Sequence, residues 1–213
     1  MLFDLDGTIL DSSRPVLAAW AEALGGMGLP VLPEDELHRV IGPPMQHVAS
    51  ELLAERGRHG DAAYDEVVTR FRTAMGAIEV EQAIAYDGIV DVVHALHGEG
   101  RRLAIVTSKP MEAATKVVPA LGIADLFVHL EAPPQAAPEV KAATMARAVT
   151  ALGIDPADTA MVGDRHHDVE AATAHGIGTI GVTWALHADH DELVDAGAVR
   201  VVARPSELQD ALG

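Results

Sequence analysis

The first strand-like segment of the chain constrains the fold most, because it carries two carboxylates and then ends at a glycine. In Leu2-Phe3-Asp4-Leu5-Asp6-Gly7-Thr8, Asp4 and Asp6 alternate with apolar residues. Alternate residues of a β-strand point to the same side, so both carboxylates leave one side close to the turn at Gly7. Two interpretations are open: a paired-carboxylate site for a hard divalent ion, Mg²⁺ above all, or an ordinary turn rich in Asp and Gly.

Composition excludes several classes of protein. The 213 residues include no cysteine, so disulfides and thiolate zinc sites are not possible, and secretion is not indicated. The formal net charge of -17 argues against nucleic acid and anionic membranes as partners, since both require a basic face. No apolar run approaches the ~18 residues of a membrane span. We therefore expect a cytoplasmic protein, as a monomer or homodimer.

Hydrophobic periodicity divides the chain into two kinds of segment. Residues 11 to about 84 lack strand patterns and predict a small bundle of helices, which begin near Pro15, Pro33, Gln46 and Asp61. From Tyr86 onward apolar strands alternate with helices, the strands at 102–106, 126–130, 159–162, 179–183 and 199–202, the helices at 91–97, 111–121, 142–152 and 169–175, with a short helix at the end.

This alternation predicts an α/β fold, a doubly wound parallel sheet covered by helices on both faces. Residues 1–12 and 85–213 are expected to form this core domain. Residues 13–84 are expected to form a helical domain inserted after the first strand.

Polar residues follow three of the predicted strands, where doubly wound sheets place their sites. Asp4 and Asp6 follow the first, Thr107-Ser108-Lys109 the second, and Asp164 and Asp168 the fourth. The four-residue spacing of the last two puts them on one side of a helix, as metal ligands or as a capping cluster. The threonine of the second group either holds phosphate at the start of a helix or caps that helix.

These segments resemble the four motifs of the haloacid dehalogenase (HAD) superfamily, and the resemblance covers essentially the whole chain. It implies a Rossmann-like core with a helical cap domain. The branch it most resembles is that of the phosphoglycolate phosphatases. That likeness is carried by Ile41-Gly42-Pro43-Pro44, Tyr86-Asp87-Gly88, Thr107-Ser108-Lys109-Pro110 and Gly163-Asp164-Arg165-His166-His167-Asp168-Val169.

The resemblance implies a hydrolase, a Mg²⁺-dependent phosphatase that cleaves a small phosphorylated metabolite, a phosphomonoester, through a phosphoaspartate. Asp4 is then the nucleophile, and Asp6 is the general acid and afterwards the general base. Mg²⁺ would be bound by Asp4, by the backbone carbonyl of Asp6 and by Asp164. Asp168 would hold the ion directly or through water.

Substrate binding is expected from Thr107, Ser108, Lys109 and Gly42. Lys141 and Lys109 compete for the role of neutralising the transferring phosphoryl group. Lys141 matches the third motif of the family, whereas Lys109 could instead face the insert and the substrate. The remaining lysine, Lys116, is expected to be a solvated helix residue.

Other interpretations stay open. They are a phosphomutase resembling β-phosphoglucomutase, a 5′-nucleotidase and a non-catalytic phosphate-binding module. The phosphomutase needs a histidine soon after the first motif, where this chain has Val16. The family does not use a histidine metal site, so we expect His187 and His190 to be solvated loop residues, and Arg72 a solvated residue of the insert.

Overall fold

The computed structural model describes residues 1–33, 39–41, 45–134 and 139–212. They form two compact units, one of Met1–Asp11 with Ile84–Gly213 and the other of Ser12–Ala83. Gly42, and most of the helix expected to open at Pro33, lie outside the described residues.

The unit Ser12–Ala83 is helical, as its lack of strand patterns predicted. Its helices are α1 (Ser13–Gly26), α2 (Met45–Glu55) and α3 (Asp61–Ile78). Both α1 and α2 pack against α3. The ring centroids of Trp20 on α1 and Phe71 on α3 lie 4.3 Å apart in the buried apolar cluster of this unit. The unit therefore has a hydrophobic core of its own.

The other unit is built on a parallel sheet. The described strands pair in the order β3-β2-β1-β4-β5-β6. Their bounds are β1 (Leu2–Phe3), β2 (Leu103–Val106), β3 (Phe127–Glu131), β4 (Ala160–Gly163), β5 (Gly178–Val182) and β6 (Arg200–Val202). Because β1 lies between β2 and β4, the switch point of the sheet falls at its carboxyl end. The predicted doubly wound α/β fold is confirmed.

The short strand β1 is fixed on both sides. Phe3 pairs with Ile105 of β2 and with Val162 of β4. Beyond the strand, the backbone N–H of Asp4 donates to the carbonyl oxygen of Val162 at 2.9 Å. The backbone of Asp4 is thus held at the carboxyl edge of the sheet, next to the end of β4.

Helices cover the sheet. They are α4 (Ile89–Gly98), α5 (Met111–Ala120), α6 (Lys141–Leu152), α7 (His166–Thr173), α8 (His190–Asp195) and α9 (Leu208–Ala211). Helix α7 begins earlier than the predicted residue 169, because the carboxylate of Asp168 accepts from the backbone N–H of Arg165 at 3.1 Å. The sequence pattern did not predict α8, which the Asp189 side chain caps by accepting from the Glu192 N–H at 2.8 Å.

Alternate residues of the central strands are buried. On one side Leu2, Ala104 and Val106 pack in an apolar cluster that includes Met145 of α6 and Ala171 of α7. The intervening strand residues, Phe3 and Ile105, are buried as well. The strands are therefore covered on both faces, as their continuous apolar sequences predicted.

None of the helices in the described ranges is long and apolar enough to cross a membrane. The expected cytoplasmic location stays a prediction.

Candidate active site

The chain turns sharply after β1, and this turn brings it against a residue that follows β4. Gly7 has a backbone φ of +83°, and a Cβ atom at this position would lie 2.3 Å from Oδ2 of Asp164. Both the conformation and the close approach require glycine. The turn therefore places the backbone of Gly7, three residues after Asp4, directly against the carboxylate of Asp164.

Three carboxylates converge at this edge of the sheet. Asp4, Asp164 and Asp168 are buried, and one oxygen from each lies within 4.8 Å of those of the others. Gly163 makes the approach of Asp168 possible, because a Cβ atom there would lie 2.3 Å from the carboxyl carbon of Asp168. These three residues therefore lie together at the ends of neighbouring strands, where the sequence predicted them.

Lys141, the first residue of α6, reaches into this group of carboxylates. Its Nζ lies 2.6 Å from Oδ1 of Asp4, and it also forms an ion pair with Asp168. Lys109 is placed differently: its Nζ lies 3.1 and 3.3 Å from the two carboxylate oxygens of Asp6. Lys141 therefore accompanies the predicted nucleophile, and Lys109 accompanies the predicted acid–base residue.

The protonation of the group depends on burial and on the side chains that contact the carboxylates. Burial raises the pKa of Asp4 to about 7, although the charge of Lys141 opposes the shift. Burial also raises the pKa values of Asp164 and Asp168. For Lys141 burial acts in the opposite direction, but the charges of Asp168 and Asp4 outweigh it and hold its pKa above the usual range. Lys141 pairs with Asp4 and Asp168, and Asp164 contacts His187, so among the described residues one ammonium stands against three buried carboxylates.

This donor set fits a divalent metal ion. The ligand atoms are carboxylate oxygens, which suit hard cations, and a bound cation would offset the cost of keeping buried carboxylates ionised. The carboxylate of Asp6 does not belong to the group of three acids, since it faces Lys109. Its predicted contribution to the metal is through the backbone carbonyl, which stays a prediction.

The predicted phosphate-binding segment follows β2. Thr107 is buried, and its Oγ1 accepts from the backbone N–H of Lys109 at 3.1 Å. Because α5 begins only at Met111, this bond closes the turn that precedes the helix and does not cap the helix itself. Ser108 is exposed. The substrate-binding roles of this segment stay predictions, and Gly42 lies outside the described residues.

The expectation of a solvated His187 is wrong. Its Nε2 lies 2.8 Å from Oδ2 of Asp164, and its side chain is 11% exposed. His187 follows β5, so the strand-end rule applied to a fourth strand would have singled out its segment. The predicted loop assignment, and the lack of a histidine metal site in the family, pointed the other way. His190, with a side chain 65% exposed, is solvated as expected.

Sequence reasoning assigned no role to Thr8, which contacts the same carboxylate. Its Oγ1 donates to Oδ1 of Asp164 at 3.1 Å. Its carbonyl oxygen accepts from Nε1 of Trp184 at 3.0 Å. The segment after β5 is therefore bound to the turn after β1, and both orient Asp164.

A second group missed by sequence reasoning fixes the loop between Asp164 and Asp168. Oε1 of Glu192 on α8 lies 2.9 Å from Nε of Arg165, 2.6 Å from Nδ1 of His166 and 3.0 Å from the His166 backbone nitrogen. Burial opposes ionisation, but these hydrogen bonds outweigh it and lower the pKa of Glu192 to about 2. Helix α8 thus holds the start of α7 through one carboxylate oxygen.

A further arginine holds the chain segment that comes just before Lys141. Nε of Arg147 on α6 donates to Glu131 at 2.8 Å, and the same guanidinium forms an ion pair with Glu139. Arg147 thereby joins the end of β3 to the residues just before Lys141.

Comparisons of the sequence identify its relatives. The model of a family described as haloacid dehalogenase-like hydrolase matches residues 1–182. The chain is 34% identical over 215 residues to tyrosine-protein kinase PtkA of Mycobacterium tuberculosis. The matched region covers 100% of this chain and 72% of the relative. It is 32% identical over 222 residues to probable phosphatase IndB of Dickeya dadantii, covering 99% and 92%.

A third relative is a phosphoglycolate phosphatase of Xanthomonas campestris pv. campestris, 30% identical over 216 residues, with 98% of this chain and 93% of the relative covered. Among solved structures, a putative phosphatase from Clostridium difficile superimposes with a TM-score of 0.90 over 100% of this chain and 97% of that chain, at 23% identity. At that identity the superposition supports the fold alone.

Proposed function

The chain belongs to the haloacid dehalogenase-like hydrolases, and we propose that within this family it is a Mg²⁺-dependent phosphatase that cleaves a small phosphomonoester through a phosphoaspartate. The observation that carries the proposal is the contact of 2.6 Å between Lys141 Nζ and Asp4 Oδ1 at the edge of the buried carboxylate group. A carboxylate so placed has a cation beside it and further acids that suit a metal ion.

Asp4 is the nucleophile of the proposal. One of its oxygens attacks phosphorus, and the bond from phosphorus to the ester oxygen breaks, which leaves an acyl phosphate on Asp4. Lys141 favours the ionised form of Asp4 and restrains its carboxylate. It also places positive charge where the phosphoryl group is transferred.

Asp6 transfers a proton in each of the two steps, the formation and the hydrolysis of the acyl phosphate. It donates one to the departing ester oxygen, and then takes one from the water that attacks the acyl phosphate and regenerates Asp4. Lys109 places its charge 3.1 Å from the Asp6 carboxylate. We infer that a bound phosphate competes with Asp6 for this ammonium, with Thr107 and Ser108 completing the phosphate site.

The metal of the proposal is Mg²⁺. Asp4, Asp164, Asp168 and the backbone carbonyl of Asp6 would hold it, and when bound it supplies positive charge for the phosphate oxygens and the nucleophile. Thr8 and His187 orient Asp164 for this role through its two oxygens.

The helical unit is proposed to act as a cap that limits access of water and of large substrates. The supporting observation is the path of the chain: the N–H of Asp11 donates to the carbonyl oxygen of Ile84 at 2.9 Å, and Leu10 bridges to Ala85. The chain thus leaves and re-enters the core unit at adjacent points shortly after Asp6. Paired connections of this kind are suited to a hinge.

The names of the relatives support a phosphatase, but they do not identify the molecule that accepts the phosphoryl group from Asp4. The Dickeya and Xanthomonas relatives are named as phosphatases, and the Mycobacterium relative as a tyrosine kinase. An acyl phosphate on Asp4 could in principle pass its phosphoryl group to water, to a sugar or to a tyrosine. We propose water as the acceptor, because Asp6 offers a carboxylate that can take a proton from it, and because Val16 stands where the phosphomutases need histidine.

The test measures phosphate release from phosphoglycolate, a sugar phosphate, a nucleoside monophosphate and a phosphotyrosine peptide, each with and without Mg²⁺. Transfer from ATP to a tyrosine-containing peptide is measured in parallel. Mg²⁺-dependent release from a small ester, with a hydroxylamine-sensitive labelled enzyme trapped by acid, is the expected result. Preferential labelling of tyrosine, or release that Asp4→Asn leaves unchanged, would overturn the proposal.

A further inference from the structure

A second cluster of metal-ligating side chains lies on the outside of α7. In the described part of the chain, His166, His167 and Glu170 each offer one ligand atom within 4.8 Å of those of the other two. The two imidazole rings lie 3.7 Å apart between centroids. Nδ1 of His167 lies 3.9 Å from Oε2 of Glu170. None of these side chains belongs to the carboxylate group described above.

The protonation of one ring nitrogen is fixed by a neighbouring helix. Nδ1 of His166 lies 2.6 Å from Oε1 of Glu192. A carboxylate only accepts, so Nδ1 carries the hydrogen and the lone pair of neutral His166 is on Nε2. Histidines that bind metals are commonly oriented in this way, by a carboxylate on the nitrogen that does not bind the metal.

The other two ligands can adjust to an ion. The side chains of His167 and Glu170 are 62% and 64% exposed, and they are on the same face of α7, three residues apart. His166 is by contrast held in place by Glu192, through its ring and through its backbone nitrogen. The cluster thus combines one oriented imidazole with two ligands that are free to close on a cation.

We propose that His166, His167 and Glu170 form a second metal site, which binds a nitrogen-preferring transition ion such as Zn²⁺. Two imidazoles and one carboxylate are a donor set that suits Zn²⁺ and leaves a fourth position for water. The buried all-oxygen group suits Mg²⁺ instead. The two sites therefore differ in the ion they select, and this proposal does not depend on the phosphatase assignment.

The experiment titrates the full chain with ZnCl₂ by calorimetry in a large excess of Mg²⁺, which competes at the buried carboxylates. We expect one Zn²⁺ site, lost in His167→Asn and weakened in Glu170→Gln. Both variants change exposed side chains and should keep their Mg²⁺-dependent activity and melting temperature. Glu192→Gln should weaken Zn²⁺ binding by about 10–100-fold, because the oriented histidine loses its carboxylate partner.

A matched control is available on α2, where His47 lies 3.2 Å from Glu51 in an exposed pair of the same kind. That pair lacks a second histidine, so His47→Asn should leave Zn²⁺ binding unchanged. The proposal fails if the wild-type protein binds no Zn²⁺ in excess Mg²⁺. It also fails if His167→Asn retains the full affinity, because the ion would then be bound at the carboxylates or elsewhere.

Discussion

Nε2 of His187 lies 2.8 Å from Oδ2 of Asp164, across a gap of 23 positions in the chain. This contact joins the segment after β5 to the carboxyl end of β4. With Thr8 on the other oxygen, Asp164 is held by contacts from two loops. Such support around a metal ligand restricts the carboxylate to one orientation.

Replacing His187 by alanine is therefore expected to weaken Mg²⁺ binding by about 10–100-fold, because Asp164 loses one of its two orienting partners. Calorimetric titration with MgCl₂ measures the change. His190→Ala, which alters an exposed histidine, serves as the control and should bind Mg²⁺ like the wild type. Equal affinities for His187→Ala and His190→Ala would show that the contact does not support the metal.

Replacing Asp4 by asparagine is expected to lower kcat on the order of 10³-fold or more without unfolding the protein, since a carboxamide matches the shape of the side chain but is a poor nucleophile. Turnover of the best substrate and circular dichroism of the folded variant are the measurements. A folded variant with wild-type turnover would exclude Asp4 as the nucleophile.

Replacing Lys141 by methionine is expected to destabilise the metal-free protein at pH 8 by about 3–5 kcal/mol, because Asp4 and Asp168 lose their buried cation. Mg²⁺ should recover more stability in this variant than in the wild type, since it replaces the missing charge. Denaturant unfolding with EDTA and with Mg²⁺ measures both effects. The exposed Lys116→Met is the control, and an equal loss in both variants would contradict the prediction.

The stability of the metal-free protein is expected to depend on pH through Asp4. Its pKa is raised to about 7 in the folded protein, from its ordinary value of 3.8. The folded state therefore binds the proton more tightly, so this stabilising contribution is complete below pH 4 and is lost as the pH rises through about 7. Melting temperatures in EDTA should fall over this window.

Excess Mg²⁺ should flatten that pH profile, because it favours the ionised carboxylates. Asp4→Asn should reduce the slope without abolishing it, since burial raises the pKa values of Asp164 and Asp168 too. A metal-free profile that falls between pH 5 and 7 as steeply in Asp4→Asn as in the wild type would contradict the assignment to Asp4.

Sequence reasoning was most successful for structural features that a short repeat or spacing of residues encodes. The apolar strands and the alternation with helices predicted the parallel sheet, and parallel strands bring their carboxyl ends to one edge. That rule was enough to predict that Asp4, Asp164 and Asp168 lie close together. It did not assign α8, because a single capping residue, Asp189, starts this short helix within a polar segment.

The sequence by itself determined the fold class, the edge of the sheet that carries the carboxylates and the need for glycine beside them, because strand periodicity and turn chemistry are local properties. Only the tertiary structure decided that Lys141 contacts Asp4 while Lys109 contacts Asp6, and that His187 binds Asp164 and is not a solvated residue. These pairings join segments far apart in the chain. They depend on distances of a few ångströms between side-chain atoms, which no spacing along the sequence encodes.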